Sequence, residues 1–159
     1  MALVNISIFG AKEAEYMFER GALRANNMKP ALDNVADDIM EVVGKVFDSQ
    51  GRRSGGSWAW LQTATVRRKA KAGMPEPNRI LYGWGELRAS VTDPDNEFNL
   101  LDVTSRSIHL GSDLPYAAAH QYGNDHVPAR PYLKFDHWDV ERWAGMCVDS
   151  IVEAMSITR

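Results

Sequence analysis

Four histidines, His109, His120, His126 and His137, are the side chains of this chain best suited to holding a metal or moving a proton. No two of them sit at i, i+4 on one helix with a carboxylate partner, and there is no Cys-x-x-Cys or His-Glu-x-x-His pattern. Ligand spacing is therefore absent, and neither a metal nor a cofactor is expected. Gly51-Arg52-Arg53-Ser54-Gly55-Gly56 has the look of a phosphate cradle, but it lacks the Gly-Lys-Ser/Thr ending and no buried strand precedes it, so it reads as a flexible loop. The carboxylates of Asp93, Asp95 and Glu97 flank Pro94 and Asn96, which spell a turn rather than a calcium loop. No nucleophile arrangement is present, and no enzyme is expected.

Arg130 stands apart because its setting is stiff. Pro128 and Pro131 fix two φ angles around it, and Pro131 pushes Arg130 itself towards an extended backbone. A guanidinium presented in this way suits a bidentate carboxylate contact across a subunit interface, or a structural pairing within its own chain. Tyr116 and Tyr122 flank a short helical stretch that carries His120. Both tyrosines have the amphipathic character of interface aromatics, with burial under a sheet expected for Tyr116. His120 is expected to donate to a backbone carbonyl or to a neighbouring subunit.

The elements that must position these groups follow from periodicity. Ala2 to Phe9 alternates in part and reads as a short strand or an extended tail, and Ala11 to Ala25 reads as a helix weakened by Gly21. The next helix has Pro30 in its first turn and Leu32, Val35, Ala36, Ile39, Val43, Val46 and Phe47 along one face. Residues 49–78 read as a long basic loop, with a possible helical turn between Ser57 and Lys71. Gly85 to Val91 reads as a short helix and Glu97 to Leu110 as two strands of mixed polarity. The last helix, 136–156, opens at Asp136 as N-cap, and Val140, Trp143, Ala144, Cys147, Ile151, Ala154 and Met155 form its apolar stripe. Together these elements predict a single α+β domain over 1–159: a small, mainly antiparallel sheet packed against helices, with the basic loop projecting away.

At 159 residues and 45% hydrophobic, such a chain buries a core without disulfide or metal staples. The lone Cys147 reads as a buried thiol in a protein made in a reducing compartment. No apolar run approaches the ~18 residues of a membrane span, and no signal-peptide core is visible, so a soluble protein with no membrane partner, made in a host cytoplasm, is expected. Charge is uneven. Between Ser49 and Pro75 lie Arg52, Arg53, Arg67, Arg68, Lys69 and Lys71 with no acidic residue, whereas the remainder has a balance of −9. This cluster either meets nucleic acid, with Trp58 and Trp60 stacking on bases, or is a solvated loop or a patch that docks on an acidic neighbouring subunit, with the tryptophans at a core edge or interface.

The order of motifs carries a family resemblance. Phe47, Gly56-x-Trp58-x-x-Leu61, Thr65 and Lys69 come first, then Ile80-Leu81 and Gly85-x-Leu87-Arg88-x-Ser90. Tyr116-Ala117-x-x-His120-Gln121-x-Gly123 and Pro128-Ala129-Arg130-Pro131-Tyr132-Leu133 complete the series. In this order, over about a hundred residues, they resemble the phage virion morphogenesis or tail completion proteins, with Trp84 as a departure where the family more often has a small polar residue. The resemblance implies a ring-forming virion subunit, a hexameric tail terminator at the head-to-tail junction, capping the tail tube protein and receiving the head connector or stopper protein, near DNA in the channel. The alternative from another class is a nucleic-acid-binding protein using residues 52–71. The candidate subunit or partner interface comprises Arg52, Arg53, Trp58, Trp60, Arg67, Arg68, Lys69, Tyr116, His120, Tyr122 and Arg130.

Overall fold

The computed structural model describes residues 11–156, and the strand expected at 2–9 lies outside them. The element order is α1 (Ala11–Asn26), α2 (Lys29–Asp48), a single 3-10 turn (Arg52–Ser54), α3 (Thr63–Lys71), α4 (Glu86–Thr92), β1 (Asn99–Val103), β2 (Ile108–Ser112), α5 (Ala117–Tyr122) and α6 (His137–Ser156). The class is α+β, as the periodicity predicts. Among the described residues the sheet has only two strands, paired antiparallel with Asn99 opposite Ser112 and Val103 opposite Ile108.

Helix α2 is the spine. Val35, Ala36, Val43, Val46 and Phe47 are buried along one side, while Asp33, Asp37, Glu41 and Lys45 face solvent. It packs against α4, β1 and α6, and α1 in turn packs against α6. The core gathers Val43, Val46, Phe47, Trp58, Ile80, Leu87, Val91, Leu114, Ala117 and Tyr132. Phe47 sits at its centre, with the Trp58 ring edge-on at 5.6 Å and the Tyr132 ring tilted at the same distance.

Two local devices turn the chain into this core. At the end of α2, Gly51 N–H donates to the Val46 carbonyl and Gln50 N–H to the Phe47 carbonyl, the paired bonds of a left-handed helix stop. Gln50 takes φ 51° and Gly51 φ 86°, and a Cβ on Gly51 would lie 2.6 Å from Trp58 Cδ1, so glycine is required there by conformation and by space. At the start of α6, Asp139 N–H donates to Asp136 Oδ1 and Asp136 N–H to Asp139 Oδ2, a reciprocal cap built from two aspartates. Asp136 is therefore the N-cap that the sequence indicates.

Several expectations need correction. The segment 49–78 is not one projecting loop: it contains the 3-10 turn and α3, and Trp58 and Lys69 are buried. A tryptophan that can bury its ring and satisfy its indole N–H anchors any segment, however basic its neighbours. In α6, Val140 and Ala144 belong to the exposed side, and Trp143, Cys147, Ile151 and Met155 form a half-buried face. Cys147 is thus half-buried rather than buried. The one fully buried α6 side chain is Asp139, 1% exposed and paired with Arg53 at 2.6 Å and Arg142 at 3.2 Å. No helix among the described residues is long and apolar enough to cross a membrane.

Candidate functional site

A cleft of about 510 Å³ opens between α3, the 81–87 turn, α5 and the 126–130 segment. It draws together Trp60, Arg68, Lys69, Tyr116, His120 and Arg130 from the sequence-predicted set, and adds Tyr82, Trp84, Glu86 and His126. Its aromatic walls are open, with Trp60 78% and Trp84 61% exposed.

The floor is held by main-chain contacts. Arg130, 6% exposed, donates from both Nε and Nη2 to the Ala59 carbonyl at 3.0 Å. It belongs to the interior, so of the two pairings open to it the structure takes the one within its own chain. Burial lowers the affinity of its guanidinium for a proton, but arginine remains cationic at neutral pH. Lys69 does a similar task beside it, donating to the carbonyls of Arg79 at 2.6 Å and Glu76 at 3.4 Å, with burial drawing its pKa down. The two cations fasten loops that have no ladder of their own.

His120 shares the cleft wall with Tyr116, whose ring is edge-on to it at 5.9 Å. Burial first, and then the Arg130 charge, hold the imidazolium below its ordinary pKa of 6.5, so the ring is neutral at pH 7. Its Nδ1 is buried with no hydrogen-bond partner among the described residues. The carbonyl of His120 accepts from Arg130 N–H at 2.7 Å, a main-chain contact in which the ring takes no part, and the donation to a backbone carbonyl expected of the ring is not made by Nδ1. Tyr116 is 38% exposed rather than covered by the sheet, because its hydroxyl reaches out to Glu86 Oε2 at 3.1 Å. Burial and then that carboxylate raise the Tyr116 pKa, so the phenol stays a donor.

The other predicted residues lie elsewhere. Trp58 is a core residue whose Nε1 donates to the Pro131 carbonyl at 3.1 Å. Arg53 bridges Asp136 at 2.8 Å and Asp139 at 2.6 Å, and its pKa is raised because those carboxylates outweigh burial. Arg142 extends the chain of charge from Asp139 to Asp38, which also accepts from Trp143 Nε1 at 2.6 Å. Arg52, Arg67 and Tyr122 are exposed, with Tyr122 at 79%.

The recurrent motif letters acquire physical roles here. Gln121 accepts from Tyr132 and Leu133 N–H at 3.0 and 3.1 Å and donates to the Leu133 carbonyl at 3.2 Å, clamping the Pro-flanked segment to α5. Gly123 has φ 77°, and a Cβ there would lie 2.7 Å from Ala129 N. Ser90, fully buried, bonds Ser112 Oγ at 2.7 Å and so ties α4 to β2. Gly85 starts α4 at φ 91°, beside the exposed Trp84.

The phage virion morphogenesis family matches residues 11–151, which includes every element above except the last residues of α6. The chain belongs to the phage virion morphogenesis family. A curated relative, the Mu-like prophage FluMu G protein 2 of Haemophilus influenzae, is 28% identical over 138 residues, covering 82% of this chain and 83% of the relative. No solved structure gives a significant match. Family membership implies a virion-associated protein with a structural part in phage assembly.

Sequence reasoning missed three residues: Glu86 in the cleft wall, Gln121 clamping the segment that borders it, and Asp139 at the start of α6. Gln121 was visible only as a motif letter, because a glutamine gives no periodic signal. Glu86 and Asp139 each sit in a helical first turn, where an acid carries no sign of its distant partner. The capping spacing Asp136-x-x-Asp139 was the available clue to the second.

Proposed function

We propose that this protein is a tail completion subunit that forms a ring at the head-to-tail junction, ending the tail tube and offering the surface on which the head connector docks. The observation that carries this reading is the family match over 11–151, which takes in nearly all of the described fold rather than one motif. The surface fits it. Tyr16, Phe18, Leu23, Trp60, Trp84 and Trp138 are each more than 60% exposed, a quantity of open aromatic and aliphatic surface suited to burial by other subunits. Binding energy then comes from subunit burial and charge complementarity, with no covalent step, and ring closure leaves no free contact face to continue a polymer.

Deleting the gene from its phage and imaging the lysate tests the proposal. Filled heads and separate tails of irregular length are expected, with complementation restoring joined particles in which labelled protein sits at the junction as a six-fold ring. Normal particles from the deletion, or label distributed along the tail, would overturn it.

A further inference from the structure

Two surfaces of this subunit carry unpaired charge among exposed apolar side chains, and their signs are opposite. On α1 and α6, Glu13, Glu15, Glu19, Asp149 and Glu153 have no ion pair or side-chain hydrogen bond among the described residues. They alternate in sequence with Tyr16, Phe18, Leu23, Val148 and Val152, all at least 52% exposed. Of the cations on these helices, Arg142 is spent on Asp38 and Asp139 and Arg20 donates to the Met155 carbonyl, so Lys12 and Arg24 stand against the five acids and the surface keeps an acidic excess. On α3, which walls the cleft with Arg68 and Lys69, the balance reverses. Arg68 in the wall and Arg67 and Lys71 on the same short helix outside it are exposed and have no side-chain partner among the described residues, and Trp60 and Trp84 stand open in the cleft with Arg68.

We propose that the paired helices α1 and α6 of one subunit seat on the aromatic and cationic cleft of a second copy, in a head-to-tail contact. The occupant is a copy of this chain because the two patches are complementary in charge and each brings aromatic side chains to the junction. One molecule does not satisfy both alone. Helix α6 is fixed at its start by Arg53 and Arg142, and α1 is fixed to α6 where Gly21 lies against Met155 and Arg20 donates to the Met155 carbonyl at 2.9 Å. The α1–α6 pair therefore stays on the α6 flank of α2, while the cleft is built from α3, α5 and the start of α4. A contact between two different patches repeats from subunit to subunit and closes into a ring where the rotation between neighbours is a whole fraction of a turn, unlike a self-complementary patch, which stops at two. Each side brings two aromatic side chains, Tyr16 and Phe18 against Trp60 and Trp84, at up to about 150–250 Å² each, a substantial share of the roughly 800 Å² per partner of a stable interface.

The inference rests on the ring reading above, and the test separates the two. A photo-cross-linking phenylalanine analogue in place of Phe18 should capture residues 60–84 of another copy, both in concentrated purified protein and in phage particles. Double reversal of Arg67→Glu and Arg68→Glu, or of Glu15→Lys and Glu19→Lys, should weaken self-association about tenfold or more, a loss of about 1.4 kcal/mol per tenfold, with the melting transition retained. Mixing the two reversed chains, or combining all four changes in one chain, should restore it. Cross-linking of Phe18 to α1 of the other copy, to nucleic acid, or to no other chain in particles overturns this contact while leaving the ring intact. Particles that contain no ring of this protein overturn the function proposed above instead. An association unaffected by either reversal also overturns the contact.

Discussion

The centre of the molecule and the paired helices α1 and α6 solve opposite problems with similar residues. In the centre, charged and aromatic side chains are turned inward to hold main chain: Arg130 on Ala59, Lys69 on Arg79, Trp58 on Pro131 and Gln121 on Leu133. On α1 and α6, Arg20, Arg142 and Trp143 make contacts of that kind, but a further set of aromatic and acidic side chains is turned outward. Tyr16 and Phe18 are 65% and 68% exposed, and the glutamates around them are unpaired. The letters that make the family recognisable are concentrated in the first region. They mark the places where irregular backbone needs a named side chain, whereas contact surfaces are specified by shape and charge and tolerate many sequences.

The comparison breaks most sharply at Gly51. Gly51→Ala combines left-handed strain with a Cβ 2.6 Å from Trp58, and a loss of about 2–4 kcal/mol in urea unfolding is expected. A loss under 0.5 kcal/mol would mean that the Trp58 ring is free to move. Next comes Arg130→Ala, which abandons two charge-assisted bonds to one carbonyl and should cost about 2 kcal/mol, against less than 0.5 kcal/mol for the exposed Arg68→Ala. Equal costs would erase the distinction between inward and outward cations. Of the two pairings that the sequence left open for Arg130, the one made within its own chain gives it a part in holding the fold.

On the α1–α6 side, Phe18→Ser should leave the melting temperature within about 2 °C of the parent while phage yield falls at least tenfold. A large fall in melting temperature with normal yield would place Phe18 among the core residues. The smallest effect belongs to His120. Its folded pKa lies below the ordinary 6.5, so the unfolded chain takes up a proton more readily, and stability is lost as pH falls from 6.5 through the folded value. His120→Asn should flatten that part of the stability profile, as followed by denaturant titration at pH 7 and pH 5. An unchanged slope would assign the acid sensitivity to other groups.

Most of the architecture was legible because it rests on periodicity and punctuation. Pro30 and the apolar face of α2, the glycine before α4, and Asp136 before α6 each correspond to an observed start or face. The basic segment was misread because local composition dominated it. Arginines, serines and glycines conceal that Trp58 must bury and that Arg53 has Asp139 waiting 86 residues away. Half of the candidate set converged on the cleft because motif letters cluster where chain segments cross. The clamp of Gln121 and the pairing of Tyr116 with Glu86 depend on approaches between distant segments, which no local pattern records.

The packing of α1 on α6 also sets an order of events during synthesis. Arg20 and its acceptor at Met155 are 135 residues apart, so α1 emerges from the ribosome long before the helix it docks on. At roughly 5–20 residues per second the nascent chain carries its open aromatic helix for several seconds or more. Translation speed and chaperone supply in the host thereby become determinants of how many subunits reach a native state before they meet one another.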